Sequence, residues 1–213
     1  MYLNIYIYRL ALKVERELPA LSRLIWKDFK ISNLFKIRDG YYNKKPPQEK
    51  NGNIPFLGAT SMNNGITEFY SENTINYWDK VGCNSTNGYE KRYFEGNCLT
   101  VVNNGSVGYV YYQDHMFTCS HDMTPIYLKR YKLNKQIGMF LVRCMNKTGE
   151  MFSYARKWRP KRIRTSKIYL PINDKLEPDY KYMEKYILVQ QIKEYYKILN
   201  HFHKLLDSDK KTC

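Results

Sequence analysis

Beyond Pro178 the chain reads DYKYMEKYILVQQIKEYYKILNHFHKLL, in which Tyr182, Tyr186, Val189, Ile192, Tyr196, Leu199, Phe202 and Leu206 follow at steps of four and three. Tyr195, Ile198 and Leu205 widen the same stripe. That spacing lines one face of an α-helix of roughly 27 residues, about 40 Å long. Such a stripe must be buried against something, and coiled-coil-like packing on another helix is the simplest solution. A partner is available at the other end of the chain. Leu3, Ile7, Leu10, Val14 and Leu18 recur with helical spacing up to Pro19, which predicts a shorter N-terminal helix of about 25 Å. Further helices could equally come from another chain.

Between these helical ends the texture changes. From Trp26 to about Ile172 short runs rich in Val, Ile, Tyr, Phe and Thr are broken by Gly, Asn, Asp and Pro, the pattern of a strand-rich region with a few short helices. A short helix is expected around Ser32 to Phe35, passing into a strand that ends by Gly40. IPFLGAT reads as a strand entering the tip Asn63-Asn64-Gly65, and GNCLTVVNNGSVGYVYY as two strands around Asn103-Asn104-Gly105. Asn-Gly between strand formers is a strong hairpin signal because both residues tolerate positive φ. Residues 132–148 carry apolar side chains at helical spacing and predict a helix packed on the sheet. The class is α+β: a strand-rich globular domain over residues 21–176, an N-terminal helix over 1–20 and a long C-terminal helix over 177–213.

The formal charge of +15, from 35 Lys and Arg against 20 Asp and Glu, bears on partners rather than on fold and makes a polyanion the leading partner class. Positive charge is densest in SYARKWRPKRIRTSK, where Arg156, Lys157, Arg159, Lys161, Arg162, Arg164 and Lys167 fall within twelve residues that include no acid. Solvated charged faces normally mix signs, so this run is read as phosphate contact, the salt-sensitive part of DNA affinity. Trp158 within it is read as a core anchor. At the Asn-Gly tips, pure turn geometry explains any one of them. Their recurrence on a basic protein adds Asn63, Asn64, Asn103, Asn104 and Ser106 as candidate DNA contacts, since Asn can pair bidentately with adenine and small polar groups suit phosphate oxygens. Tyr89, Lys91 and Arg92, beside the further Asn87-Gly88 break, join them.

Catalytic signatures are weak. There is no Gly-x-Gly-x-x-Gly loop, no Walker sequence and no Asn-Pro-Pro-Tyr tetrapeptide, so no nucleotide cofactor is expected. Cys83, Cys98, Cys119, Cys144 and Cys213 are widely spaced with no Cys-x-x-Cys pair, and neither a disulfide framework nor a metal site is expected. His115 and His121 flank Cys119, so a thiol nucleophile is conceivable; Asp179 with the Asp209-Lys210-Lys211 tail mimics nuclease spacing. A self-contained nuclease or thiol enzyme, and a helical interaction protein with incidental charge, stand as alternatives. The opening MYLNIYIYRLALK is apolar only briefly before Arg9 and Lys13 and lacks a cleavage site of small residues, which points to the cytoplasm and to no membrane partner.

The order of segments carries a resemblance. Trp26-Lys-Asp-Phe-Lys-Ile-Ser-Asn-Leu-Phe-Lys-Ile, then Ile54-Pro-Phe-Leu-Gly-Ala-Thr-Ser with Asn63-Asn64-Gly65-Ile66, then Asn104-Gly105-Ser106-Val107-Gly108 with Gln113 behind it, Phe117 to Asp122, and the closing Lys167-Ile-Tyr-Leu-Pro-Ile resemble a target recognition domain of type I restriction-modification specificity subunits. The chain is also similar to recognition subunits of type IIB enzymes, which close on a stretch like Asp179-Tyr180-Lys-Tyr-Met-Glu-Lys-Tyr-Ile. The resemblance spans about residues 22–200. It implies a recognition domain on spacer helices that binds double-stranded DNA without catalysis of its own, beside a DNA methyltransferase (modification) subunit and a restriction subunit. A usual specificity subunit carries two recognition domains; this chain has room for one and resembles a half-subunit. Two copies pairing through their helices, as a homodimer, would read a palindromic split site. A truncated or silent copy, or pairing with a different half, also fits.

Overall fold

The computed structural model describes residues 2–84 and 88–209. In chain order it comprises α1 (Tyr2–Glu17), β1 (Trp26–Lys30), α2 (Ile31–Leu34), β2 (Phe35–Ile37), β3 (Ile54–Leu57), β4 (Ile66–Tyr70), α3 (Glu72–Tyr77), β5 (Cys98–Val102) and β6 (Val110–Gln113). There follow β7 (Thr118–Cys119), β8 (Met123–Leu128), α4 (Lys135–Gly149), α5 (Pro160–Thr165), β9 (Lys167–Pro171) and α6 (Tyr180–Asp209). The mixed α+β class, the strand-rich middle and the long last helix agree with the expectation from sequence. Two compact units emerge, one from the segments before and including Trp26 and from Pro171 onward, the other Lys27–Leu170.

In the first unit α1 lies against α6. Tyr8 and Tyr196 stack with ring centroids 3.9 Å apart, Lys193 Nζ donates to Glu15 at 2.7 Å, and the Tyr182 hydroxyl donates to the Pro19 carbonyl at 2.9 Å. Glu15 is held below the ordinary carboxylate range by its hydrogen bond from Lys193. α6 starts where Asp179 Oδ1 accepts the Tyr182 amide at 3.0 Å, satisfying one of the donors that a helix start leaves open. The 16 residues of α1 cannot cover the 30 of α6. Ala11, Tyr182, Met183 and Val189 are buried, whereas Tyr195, Ile198, Phe202, Leu205 and Leu206 stay exposed. Among the described residues no helix is long and apolar enough to cross a membrane.

The second unit is built on a four-stranded sheet in the order β2-β8-β5-β6, whose neighbours run antiparallel. A three-stranded sheet, β4-β3-β7, sets β3 antiparallel to β4 and parallel to β7, and β1 pairs with β9. Every residue of β5 is buried, as befits a central strand covered on both faces. One core cluster gathers Leu57, Phe94, Cys98, Val102, Phe117, Cys119 and Met123. A second gathers Tyr42, Ile54, Phe56, Tyr70 and Ile75. α4 starts at Asn134, whose Oδ1 accepts the Ile137 amide at 3.0 Å, and it lies on β6: a Cβ on Gly138 would meet the Tyr112 ring at 2.3 Å. Only glycine lets the helix come this close.

The β5–β6 connection departs from a two-residue hairpin. Its strands stop at Val102 and resume at Val110, and the loop is closed by Val102 N to Tyr109 O at 2.8 Å and Gly108 N to Val102 O at 3.1 Å. Gly105 takes φ of +67°, and a Cβ there would lie 2.9 Å from the Ala59 Cβ. Backbone freedom and close approach thus coincide at this position.

Candidate nucleic-acid interface

The two Asn-Asn-Gly tips are tied together by β6. Asn63 and Asn64 sit in a single 3-10 turn between β3 and β4 with φ of 49° and 52°, a left-handed conformation that asparagine tolerates better than most residues. Asn64 Nδ2 donates to the Tyr112 carbonyl at 3.0 Å, and Gln113 Nε2 returns a bond to the Asn64 carbonyl at 3.0 Å. The Tyr111 hydroxyl donates to the Thr60 carbonyl at 2.9 Å. Gly105, in the second tip, packs on Ala59 of the first loop. Asn63 and Asn64 are exposed, Asn104 and Ser106 half-buried.

The basic segment reaches this neighbourhood through Arg159. Its Nη1 donates to Asn103 Oδ1 at 3.1 Å and to Asp122 Oδ1 at 3.4 Å. Trp158 anchors the segment from beneath, fully buried, stacked on Phe152 at 4.9 Å and donating from Nε1 to Ser166 Oγ at 3.0 Å. This is the core role expected of it. Arg156 lies over the Phe152 ring at 5.5 Å and Lys157 over Tyr154 at 5.0 Å. Arg156, Lys161, Arg162 and Arg164 are exposed and Lys157 half-buried. None of the five makes an ion pair among the described residues, so their charge is uncompensated locally.

Two of the residues expected at the DNA surface lie inside the protein instead. Arg92 is fully buried, and its Nη1 donates to the carbonyls of Ile75, Asn76 and Trp78 at 2.8, 2.8 and 2.9 Å. It closes the C-terminal end of α3, where unpaired carbonyls carry partial negative charge, and Asp79 stands 4.0 Å from its Nη2. Asn103 is likewise buried, its Nδ2 donating to the His121 carbonyl at 3.1 Å and Thr124 Oγ1 at 2.9 Å. Both are framework residues. Lys91 is exposed, its amide bonded to the Gly88 carbonyl at 3.0 Å. The Tyr89 side chain and Asn87 lie outside the described residues.

Asp122 carries no contact signature in the sequence, yet it is where the second tip and the basic segment meet. Its Oδ1 accepts from Asn104 Nδ2 at 2.9 Å and from Arg159, and His121 Nε2 stands 3.3 Å away. The sequence hint is an acid beside His121 in a chain short of acids; its partners lie 18 and 37 residues away.

The catalytic alternatives meet physical obstacles. Cys119 is fully buried, and burial pushes its thiol above the ordinary range, the reverse of what a thiolate nucleophile requires. His121 turns Nδ1 to the Tyr42 carbonyl at 3.1 Å and Nε2 to Asp122. Asp179 caps α6, and Lys210 and Lys211 lie outside the described residues. Among the described residues no three His, Cys, Asp or Glu side chains are placed to hold a metal ion.

A family model described as the type I restriction modification DNA specificity domain matches residues 25–201. The specificity subunit S.BcgI of a type II restriction enzyme from Heyndrickxia coagulans is 33% identical over 198 residues, covering 88% of this chain and 53% of that one. The S subunit of a type I restriction-modification system from M. genitalium superposes with a TM-score of 0.52 at 15% identity, over 96% of this chain and 53% of that chain. The HsdS subunit from Thermoanaerobacter tengcongensis gives 0.51 at 12% identity, over 93% and 45%. The chain therefore spans about half the length of the relatives it matches.

Proposed function

This chain belongs to the type I restriction modification DNA specificity family, and from that premise we propose that it is a sequence-specific DNA recognition subunit that positions a partner methyltransferase on its target. One observation carries the assignment of the reading surface: Arg159 joins the cationic segment to the Asn103–Asn104 tip, so that phosphate-binding and base-reading groups share one neighbourhood. Arg156, Lys157, Arg159, Lys161, Arg162 and Arg164 take phosphates, fixing register without reading sequence. Asn63, Asn64, Asn104 and Ser106 face the bases or the sugar-phosphate edge, with Lys91 as an outlying contact. The chemistry of methylation, and of cleavage where it occurs, belongs to modification and restriction subunits.

The exposed end of α6 supports a second element of the reading. Tyr195, Ile198, Phe202 and Leu206 form an exposed apolar face, and a second copy of this chain, crossing there with twofold symmetry, buries it on both sides. The dimer then holds two reading units, and its target is a split palindrome. Binding of the purified chain to duplex DNA across a salt series tests the first element. A steep fall of affinity with salt is expected; no binding to duplex at low salt, with a modification subunit present or absent, would refute it.

A further inference from the structure

An acid on a DNA-reading surface repels phosphate, and Asp122 sits in the middle of this one. Its Oδ1 takes the Asn104 amide at 2.9 Å and the Arg159 guanidinium at 3.4 Å, with His121 Nε2 at 3.3 Å. The groups it holds are those that DNA would otherwise use. The arrangement carries a further penalty at Asn104, whose Oδ1 is buried without a hydrogen-bond partner, a state that costs the desolvation of that oxygen. An asparagine that reads adenine needs both its amide groups; in this conformation one is taken by Asp122 and the other is buried.

On the reading proposed above, we propose that Asp122 is a positioning residue that acts as an internal competitor for DNA. Its carboxylate occupies Arg159 and Asn104 in the free protein. A phosphate that engages Arg159 replaces its bond to the acid, and a base edge that offers both a donor and an acceptor draws Asn104 off Asp122, so that both its amide groups find partners. Non-cognate duplex offers the phosphate but not the base edge, so it recovers only part of what is broken. Asp122 thereby lowers non-specific affinity more than specific affinity, and discrimination rises.

The test is a double-mutant cycle on Asp122 and Arg159, read as affinity for a random-sequence duplex and as the slope of affinity against salt. Asp122→Asn keeps one acceptor oxygen and removes the charge, with an amide NH2 in place of the second oxygen. It is expected to tighten random-duplex binding by about two- to fivefold, the range for a partly exposed ion pair, and to steepen the salt slope by about one. In the Arg159→Ala background the same change should produce little gain. A gain equally large without Arg159 reveals only long-range charge and overturns the proposal, as does Asp122→Asn with unchanged or weaker binding. Should Asp122→Asn fail to fold, Asp122→Ser removes the same charge from Arg159 with a smaller polar side chain, and unchanged random-duplex affinity there refutes it. Failure of the wild-type chain to bind duplex at all sinks the recognition reading itself, a result distinct from binding without coupling.

Discussion

Arg159 Nη1 donates to Asn103 Oδ1 across 3.1 Å, between residues 56 positions apart in the chain. The bond joins two features that sequence offers separately, a run of cations and a turn, and Asn103 is itself fixed by bonds to His121 and Thr124. A flexible cation is thereby held against a buried, immobile amide, which restrains the geometry of the strongest positive segment.

Replacing Arg156, Arg162 and Arg164 together by Ala is expected to reduce the salt slope of duplex binding by about three, one for each phosphate left without its cation. The three side chains are exposed and make no ion pair among the described residues, so thermal stability should change little. Fluorescence anisotropy across a salt series measures the slope; an unchanged value would show the charge to be incidental.

Arg92→Met should act on the fold and leave the reading surface alone. Removing the guanidinium takes this donor from the Asn76 and Trp78 carbonyls at the end of α3, while the Ile75 carbonyl keeps the Tyr42 hydroxyl, and the uncompensated desolvation is a loss of about 3 kcal/mol or more. Denaturant unfolding reads the loss. Duplex affinity per folded molecule should stay within about twofold, because a fully buried side chain meets no phosphate.

Phe202→Asp with Leu206→Asp places charge on the exposed apolar face of α6. If the proposed twofold assembly holds, the wild-type chain sediments as a dimer and the doubly substituted chain as a monomer, with duplex affinity reduced through lost bivalency. A wild-type chain that is monomeric at high concentration would contradict the twofold assembly.

The Glu15–Lys193 pair sets a pH dependence on the α1–α6 contact. Hydrogen bonding to Lys193 lowers the Glu15 carboxyl, so its contribution is full above the unfolded carboxylate value of about 4.3 and is lost as pH falls through the lower folded value. The same bond raises Lys193, so the alkaline limb opens only above the ordinary lysine range. With the two side chains 36% and 26% exposed, the effect is no more than about 1 kcal/mol and shrinks with salt. Glu15→Gln should flatten the acid limb of the thermal unfolding profile by that amount.

Local patterning was enough for much of this protein. The step of three and four from Tyr182 to Leu206 requires a helix whatever surrounds it, because side chains at that spacing share a face only at 3.6 residues per turn, and α6 runs Tyr180–Asp209. The β5–β6 pairing was legible from the apolar runs around Asn103-Asn104-Gly105, and the anchoring of Trp158 from its isolation among cations. Family membership was legible from the order of segments that no single motif specifies.

What sequence could not decide is which polar groups face inward. Arg92 and Lys91 are neighbours of equal charge, yet one closes a helix end in the core and the other stands in solvent. The choice depends on α3 ending within reach of the Arg92 guanidinium while the Thr118 hydroxyl of β7 holds the Arg92 carbonyl at 2.7 Å. Asn103 is buried and Asn104 half-buried for a similar reason: the former meets β8 and the latter meets Asp122. Charge, turn propensity and periodicity are properties of a short window of chain, whereas a buried hydrogen bond needs two windows brought together and water excluded from both. Only tertiary packing does that, and it alone made Asp122 the meeting point of a turn and a basic run.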